Sequence, residues 1–190
     1  NIDPFKASRQ VNGAGILGLK ELEEQVRAWA AGETKNPEVF QHPIAFNVIP
    51  HIDAFMDEGY TREELKMVWE TRKIMHAPDL KISATTVRVP VFRSHSESIT
   101  LDLEKDLTPE QVKNILSQAP GVVVQDDPSQ NIYPMPLNSS DTDEVYVGRI
   151  RRDISGERGI ALWAAADQIR KGAATNAIQI AELVLNKNLF

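Results

Sequence analysis

The chain has 190 residues, 42% hydrophobic and 25% charged, with a net charge of −6, the composition of an ordinary globular protein with one main core. The acidic balance argues against a nucleic-acid binder, whose affinity comes from neutralising phosphates. No apolar run reaches the roughly 20 residues that cross a bilayer, no secretory signal is visible, and the four histidines lack metal-ligand spacing. The chain has no cysteine, which excludes a disulfide framework, a thiolate metal site and a cysteine nucleophile.

The first residues, Asn1-Ile2-Asp3-Pro4-Phe5-Lys6, carry no periodicity. Residues 1–10 read as a lead that is either a processed end or vector-derived. After Gly13-Ala14-Gly15, residues 16–31 predict a helix: Ile16, Leu19, Leu22, Val26 and Trp29 recur at three- and four-residue spacing, and Gly32 stops it. Residues 33–43 read as a loop and residues 44–49 as a strand closed by Pro50. Thr61 and Glu64 form a capping box that opens a helix reaching about Met75. Its expected apolar face is Leu65, Val68, Trp69 and Met75; Glu63, Lys66, Glu70 and Lys73 line the other.

Residues 81–91, rich in Thr and Val, predict a strand weakened at Pro90, and residues 98–103 a second. Thr108, Pro109 and Gln111 form a complete helix start with a Leu107–Val112 staple, and that helix ends near Gln118. A short strand follows at residues 122–124, then a polar loop over residues 126–142, long enough to suggest binding or interface use. Residues 145–150 and 159–165 predict strands, the second a central one covered on both faces. Residues 167–185 predict the last helix. The mixed order of elements gives an α+β fold, a mixed and largely antiparallel sheet with helices on one face.

Two residues stand out for chemistry. Arg88 offers a fixed-charge fork for a carboxylate or phosphate, and His95, seven residues on, a group that moves protons near neutral pH. In a straight strand they would lie roughly 23 Å apart and on opposite faces. A shared site therefore requires a bulge or turn between Pro90 and Ser96.

Four stretches together resemble the aspartate-semialdehyde dehydrogenase family. They are Gln10-Val11-Asn12-Gly13-Ala14-Gly15; residues 43–50 with Gly59-Tyr60-Thr61-Arg62-Glu63-Glu64-Leu65-Lys66; Arg88 through His95; and Val147-Gly148-Arg149-Ile150-Arg151-Arg152-Asp153 with residues 170–182. The family's loop glutamine aligns with Arg9, leaving Gln10 one place out of register. The resemblance implies the C-terminal half of that enzyme, with the glyceraldehyde-3-phosphate-dehydrogenase-like fold of its C-terminal domain, whose intact form reduces aspartyl phosphate with NADPH and releases phosphate. It implies His95 as the catalytic proton-handling residue, Arg88 as the substrate-carboxylate grip, Lys66 as a phosphate contact oriented by Glu63, and Asn12, Gly13 and Asn176 beside NADP. Most of the dinucleotide site would lie in the other half, since no Gly-x-Gly-x-x-Gly occurs here; so would the nucleophile, which leaves this chain inactive by itself.

The implied organisation is a lead over 1–10, a substrate-binding and dimerisation domain over 11–165, and a C-terminal helix over 166–190 that packs on the nucleotide-binding domain. The implied assembly is a cytoplasmic homodimer burying more than about 1,000 Å². Two other readings stay open at this point: a non-catalytic dimerisation scaffold of the same fold, and a related acyl-phosphate reductase such as one acting on N-acetylglutamyl phosphate.

Overall fold

The structure is a computed structural model. It describes the backbone of residues 5–10 and all of residues 14–187. Six strands form one sheet in the order β2-β1-β3-β6-β5-β4: β1 (Phe5–Gln10), β2 (Ala84–Val89), β3 (His95–Asp102), β4 (Val122–Val124), β5 (Val145–Arg152) and β6 (Gly159–Ala166). The β1–β2 and β4–β5 pairs are parallel and the other three antiparallel, which matches the expected α+β class. Residues 5–10, for which the sequence suggested no element, are a strand paired on both edges.

Register divides the side chains between two faces, since residues opposite one another point the same way. One face carries Ile99, Leu101, Ile160, Leu162, Ala164, Val145, Val147, Val122 and Val124. Helix α3 (Pro109–Ser117) covers it with Val112 and Leu116, completing the main core. The expected staple is present: Leu107 and Val112 lie in that cluster. The other face carries Thr85, Val87, Ser96, Ser98, Thr100, Trp163 and Tyr146. It opens on a cavity of about 590 Å³ lined by Ser98, Tyr133, Trp163, Arg149 and Arg151.

Helix α1 (Gly15–Ala30) ends as expected, with Gly32 at φ +75° just past its cap. It packs Leu22 against Phe40, Ile44 and Ile49. Its buried polar side chains hold the next segment: Glu21 accepts from the amides of Glu38 and Val39, and Gln25 from those of Ile44 and Ala45. Those bonds divert residues 44–49 from the predicted strand, and only Ile49 makes a bridge, to Arg88. Helix α2 (Arg62–Ile74) has the expected capping box. Its faces depart from the apolar pattern, because Glu63 and Glu64 are buried while Trp69 and Met75 are more than half exposed. The Glu64 carboxylate closes the box at Thr61 N and also accepts from Thr86 N on the sheet edge at 3.0 Å.

In β5 a bulge lies between Gly148 and Arg151, with Arg149 at φ +55°. The buried Asp126 carboxylate holds it, accepting from the amides of Arg149 (2.7 Å) and Ile150 (3.1 Å) and pairing with Lys113 at 2.8 Å. The long loop folds back on β5 and contains the single-turn α4 (Pro136–Ser139). The last helical segment starts as a π-turn over Arg170–Ala174 and becomes α5 (Thr175–Asn186). Asp143 docks this junction, taking two bonds from Arg170 (2.8 and 3.1 Å) and one from the Thr175 hydroxyl (2.6 Å).

Two outcomes are expected. A Cβ at Gly148 would stand 2.0 Å from the Gln125 carbonyl oxygen and 2.6 Å from Pro134 Cδ. Gly148→Ala should therefore cost about 1–3 kcal/mol, lowering Tm by roughly 2–4 °C per kcal/mol in thermal unfolding; an unchanged Tm would contradict this contact. The Arg170 bonds, then the Thr175 hydroxyl, lower the Asp143 pKa from 3.8 to about 2. The stabilisation from a depressed carboxyl is present above the unfolded value and lost as pH falls through the folded one. Urea midpoints measured from pH 4 down to pH 2 should thus fall more steeply for the wild type than for Asp143→Asn.

Candidate functional site

The two sequence-selected residues lie on strands that follow one another in the chain but not in the sheet. Arg88 is opposite Arg9 in the β1–β2 register, and Ser96 is opposite Ser8 in the β1–β3 register. His95, one step before Ser96, therefore falls on the same face as Arg88, two strand spacings or about 10 Å away. This is the helix-covered face, whose other end is the apolar core.

The expected turn is present. Residues 90–94 cross the end of β1, and Ser94 takes φ +73°. A straight seven-residue run would have put the two groups on opposite faces; the turn through residues 90–94 brings them to the same one.

Arg88 is 8% exposed. Its backbone is held on both sides, paired with β1 and bridged to Ile49 (2.7 and 3.0 Å). Its guanidinium lies over the Phe40 ring, 5.5 Å from the centroid, an arrangement that favours arginine over lysine. His95 borders a cavity of about 230 Å³ together with Glu97, Asp167, Gln168, Lys171 and Gly172. Glu63 and Lys66 are neighbours on α2, with the Lys66 ammonium 3.5 Å from Glu63 and 3.8 Å from Asp53. Neither they nor Arg88 line the His95 cavity. The structure thus brings Arg88 and His95 to one face and keeps Glu63 with Lys66, but does not place all four around one hollow. Asn12 and Gly13 lie outside the described residues. Asn176 is exposed on α5, with its side-chain oxygen 3.5 Å from Lys171 Nζ.

Several residues at the site were not singled out by the sequence. Lys171 reaches the cavity and donates to Gln179 Oε1 at 2.5 Å. Gln168 accepts from Ser94 N at 2.9 Å, which turns its amine away, and that buried amine has no acceptor among the described residues. Asp167 is fully buried, accepts from the amides of Asp141, Ile169 and Arg170, and pairs with Arg93. Burial raises its pKa, but the three amides and the guanidinium outweigh that and hold it below the ordinary aspartate value. The one available signal was the charge itself, an aspartate directly after eight apolar strand residues. The positive φ of Ser94 has no signal in its own identity.

Comparison with known proteins places these features in a family. Residues 5–171 match the family described as semialdehyde dehydrogenase, dimerisation domain. The aspartate-semialdehyde dehydrogenase of Aquifex aeolicus is 53% identical over 181 residues, covering 95% of this chain and 53% of the relative. That of Bacillus subtilis is 48% identical over 187 residues, covering 94% and 54%. Among solved structures, aspartate semialdehyde dehydrogenase II of Vibrio cholerae complexed with ASA superposes with a TM-score of 0.91 at 42% identity, covering 97% of this chain and 55% of that one. The chain spans about half the length of the curated relatives it matches. With the six-stranded sheet and its Arg88–His95 end, these matches show that the chain belongs to the semialdehyde dehydrogenase dimerisation-domain family.

Proposed function

We propose that this chain is the C-terminal, substrate-binding and dimer-forming half of an aspartate-semialdehyde dehydrogenase. The intact enzyme would convert aspartyl phosphate and NADPH to aspartate semialdehyde, NADP and phosphate, feeding lysine, threonine and methionine synthesis in the cytoplasm. The observation that carries this reading is the pairing of a buried arginine with a histidine on one sheet face, in a chain half as long as its dehydrogenase relatives. In this reading Arg88 grips the substrate carboxylate, for which its planar fork is suited. His95 takes the proton of a thiol supplied by the other half and, as the imidazolium, gives it up to the leaving phosphate. Lys66 meets the phosphate as a compact cation, held in place by Glu63.

The described residues fit one edge of NADP and no more. The Gln168 amine is a buried donor lacking an acceptor, which suits an incoming amide or carboxylate oxygen. Asn176 is exposed on α5, and the family resemblance gives it, with Asn12 and Gly13, a cofactor role. When bound, the cofactor supplies hydride. Ile178, Ile180, Leu183 and Leu185 on α5 are all more than half exposed, the surface expected of a helix that packs on a nucleotide-binding domain.

The second copy is assigned to the open face. Its centre, Ser98, Thr100 and Trp163, is half-buried and bordered by the loop that carries α4, with Trp163 donating to the Pro134 carbonyl, and small polar residues there permit close sheet-to-sheet approach. Light scattering is expected to give the mass of a dimer, whose interface should bury more than about 1,000 Å², and Ser98→Arg to give a folded monomer. A wild-type monomer at high concentration would contradict this.

For activity, this chain is combined with a separately made nucleotide-binding half of a relative, and phosphate-dependent NADP reduction is followed. His95→Asn should lower kcat by about 10²–10⁴-fold. Arg88→Lys should mainly raise KM, since a bidentate grip becomes a point contact. An assembled complex without reductase activity would overturn the reading.

A further inference from the structure

His95 opens β3 immediately after the left-handed Ser94, so whatever holds that turn also aims the imidazole. Ser94 is fully buried, and a left-handed conformation is unfavourable for any residue with a Cβ. Such a conformation persists only when its surroundings over-determine it. Here they do. The Ser94 amide donates to Gln168 Oε1 (2.9 Å), and its hydroxyl meets that of Ser140 (2.9 Å). One residue earlier, Arg93 is ion-paired with two carboxylates, Nε 2.7 Å from Asp167 Oδ2 and Nη1 2.6 Å from Asp141 Oδ1, a charge contact in which Nε lacks hydrogen-bond alignment. The two aspartates are themselves tied, because the Asp141 backbone amide donates to Asp167 Oδ2 at 2.8 Å. Asp167 directly follows Ala166, the residue opposite His95 in the β3–β6 register. The anchor thus sits one position from the place it must control.

We infer that Asp167 and Arg93 are positioning residues, forming a clamp that holds Ser94 left-handed and thereby keeps the His95 imidazole on the Arg88 face. Arg93 does not line the His95 cavity, and Asp167, which does, has its carboxylate engaged by three backbone amides and Arg93. The catalytic meaning of the clamp rests on the role proposed above for His95, but its geometric effect does not.

The test is made on this chain, using the imidazole cross-peaks of its four histidines in two-dimensional NMR. Arg93→Gln and Asp167→Asn should each move or split the His95 peak while leaving those of His42, His51 and His76 in place. Val112→Ala, which removes core contacts far from the turn, should lower Tm without moving the His95 peak. Glycine adopts positive φ without a Cβ penalty, so Ser94→Gly in the Arg93→Gln background should return the His95 peak toward its wild-type position. General destabilisation would not produce that rescue. A His95 peak unmoved in folded Arg93→Gln would overturn the proposal, as would a Val112→Ala variant that shifts it equally. If Asp167→Asn does not fold, the Arg93→Gln and rescue pair still decides. A failure of the reductase assay with the NMR result intact would remove the proposed reaction and leave the clamp.

Discussion

The insertion of Phe5–Gln10 between Ala84–Val89 and His95–Asp102 is the constraint on which the site depends. Two strands that follow each other in sequence would ordinarily pair as a hairpin. Here β1 occupies the position between them, parallel to one and antiparallel to the other. The connection must then cross the end of a third strand in five residues. That short crossing brings Ser94 to φ +73°, and with it His95 to the face of Arg88. The separation of the two groups is set by strand spacing, about 10 Å.

The rest of the polar architecture follows one rule. At five places where a backbone amide lacks a ladder partner, a side-chain oxygen held inside the fold accepts from it. Glu21 and Gln25 do this for residues 38–45, Glu64 for the open edge at Thr86, Asp126 for the β5 bulge and Asp167 for the start of the last helical segment. Buried amides without partners cost about 1–3 kcal/mol each, so these acceptors decide where irregular backbone is tolerated. Two of the five, Glu64 and Asp167, flank the site: one secures the strand of Arg88, the other the turn before His95. The helix-covered face is thereby divided. Its apolar half folds under Pro109–Ser117, and its polar end, largely buried, is held by carboxylates.

Much of this was legible in the residues. Both capping boxes, the Gly32 stop, the Val122–Val124 strand and the two long strands after it follow from local pattern and capping chemistry. The need for a turn between Arg88 and His95 followed from parity alone. What could not be read depends on partners distant in sequence. Residues 44–49 have strand composition but give their amides to Gln25 and adopt a single bridge. Glu63 and Glu64 look like an exposed charged face and are buried because a sheet edge needs an acceptor. Phe5–Gln10 is too short and polar to announce itself as an internal strand. Lys171 and Gln168 reach the site only because the last segment returns across the sheet end after Ala166.

The register around β1 can be measured directly, and the absence of native cysteine makes the measurement clean. Thr85 and Ser98 both lie opposite Lys6, one on each side of β1. Nitroxide labels on a Thr85→Cys/Ser98→Cys variant should therefore sit two strands apart, with backbones about 10 Å from each other, and show strong dipolar broadening in frozen solution. The unbroadened spectrum of two isolated labels would mean that β1 does not lie between these strands, and that Arg88 and His95 are not brought to a common face in this way.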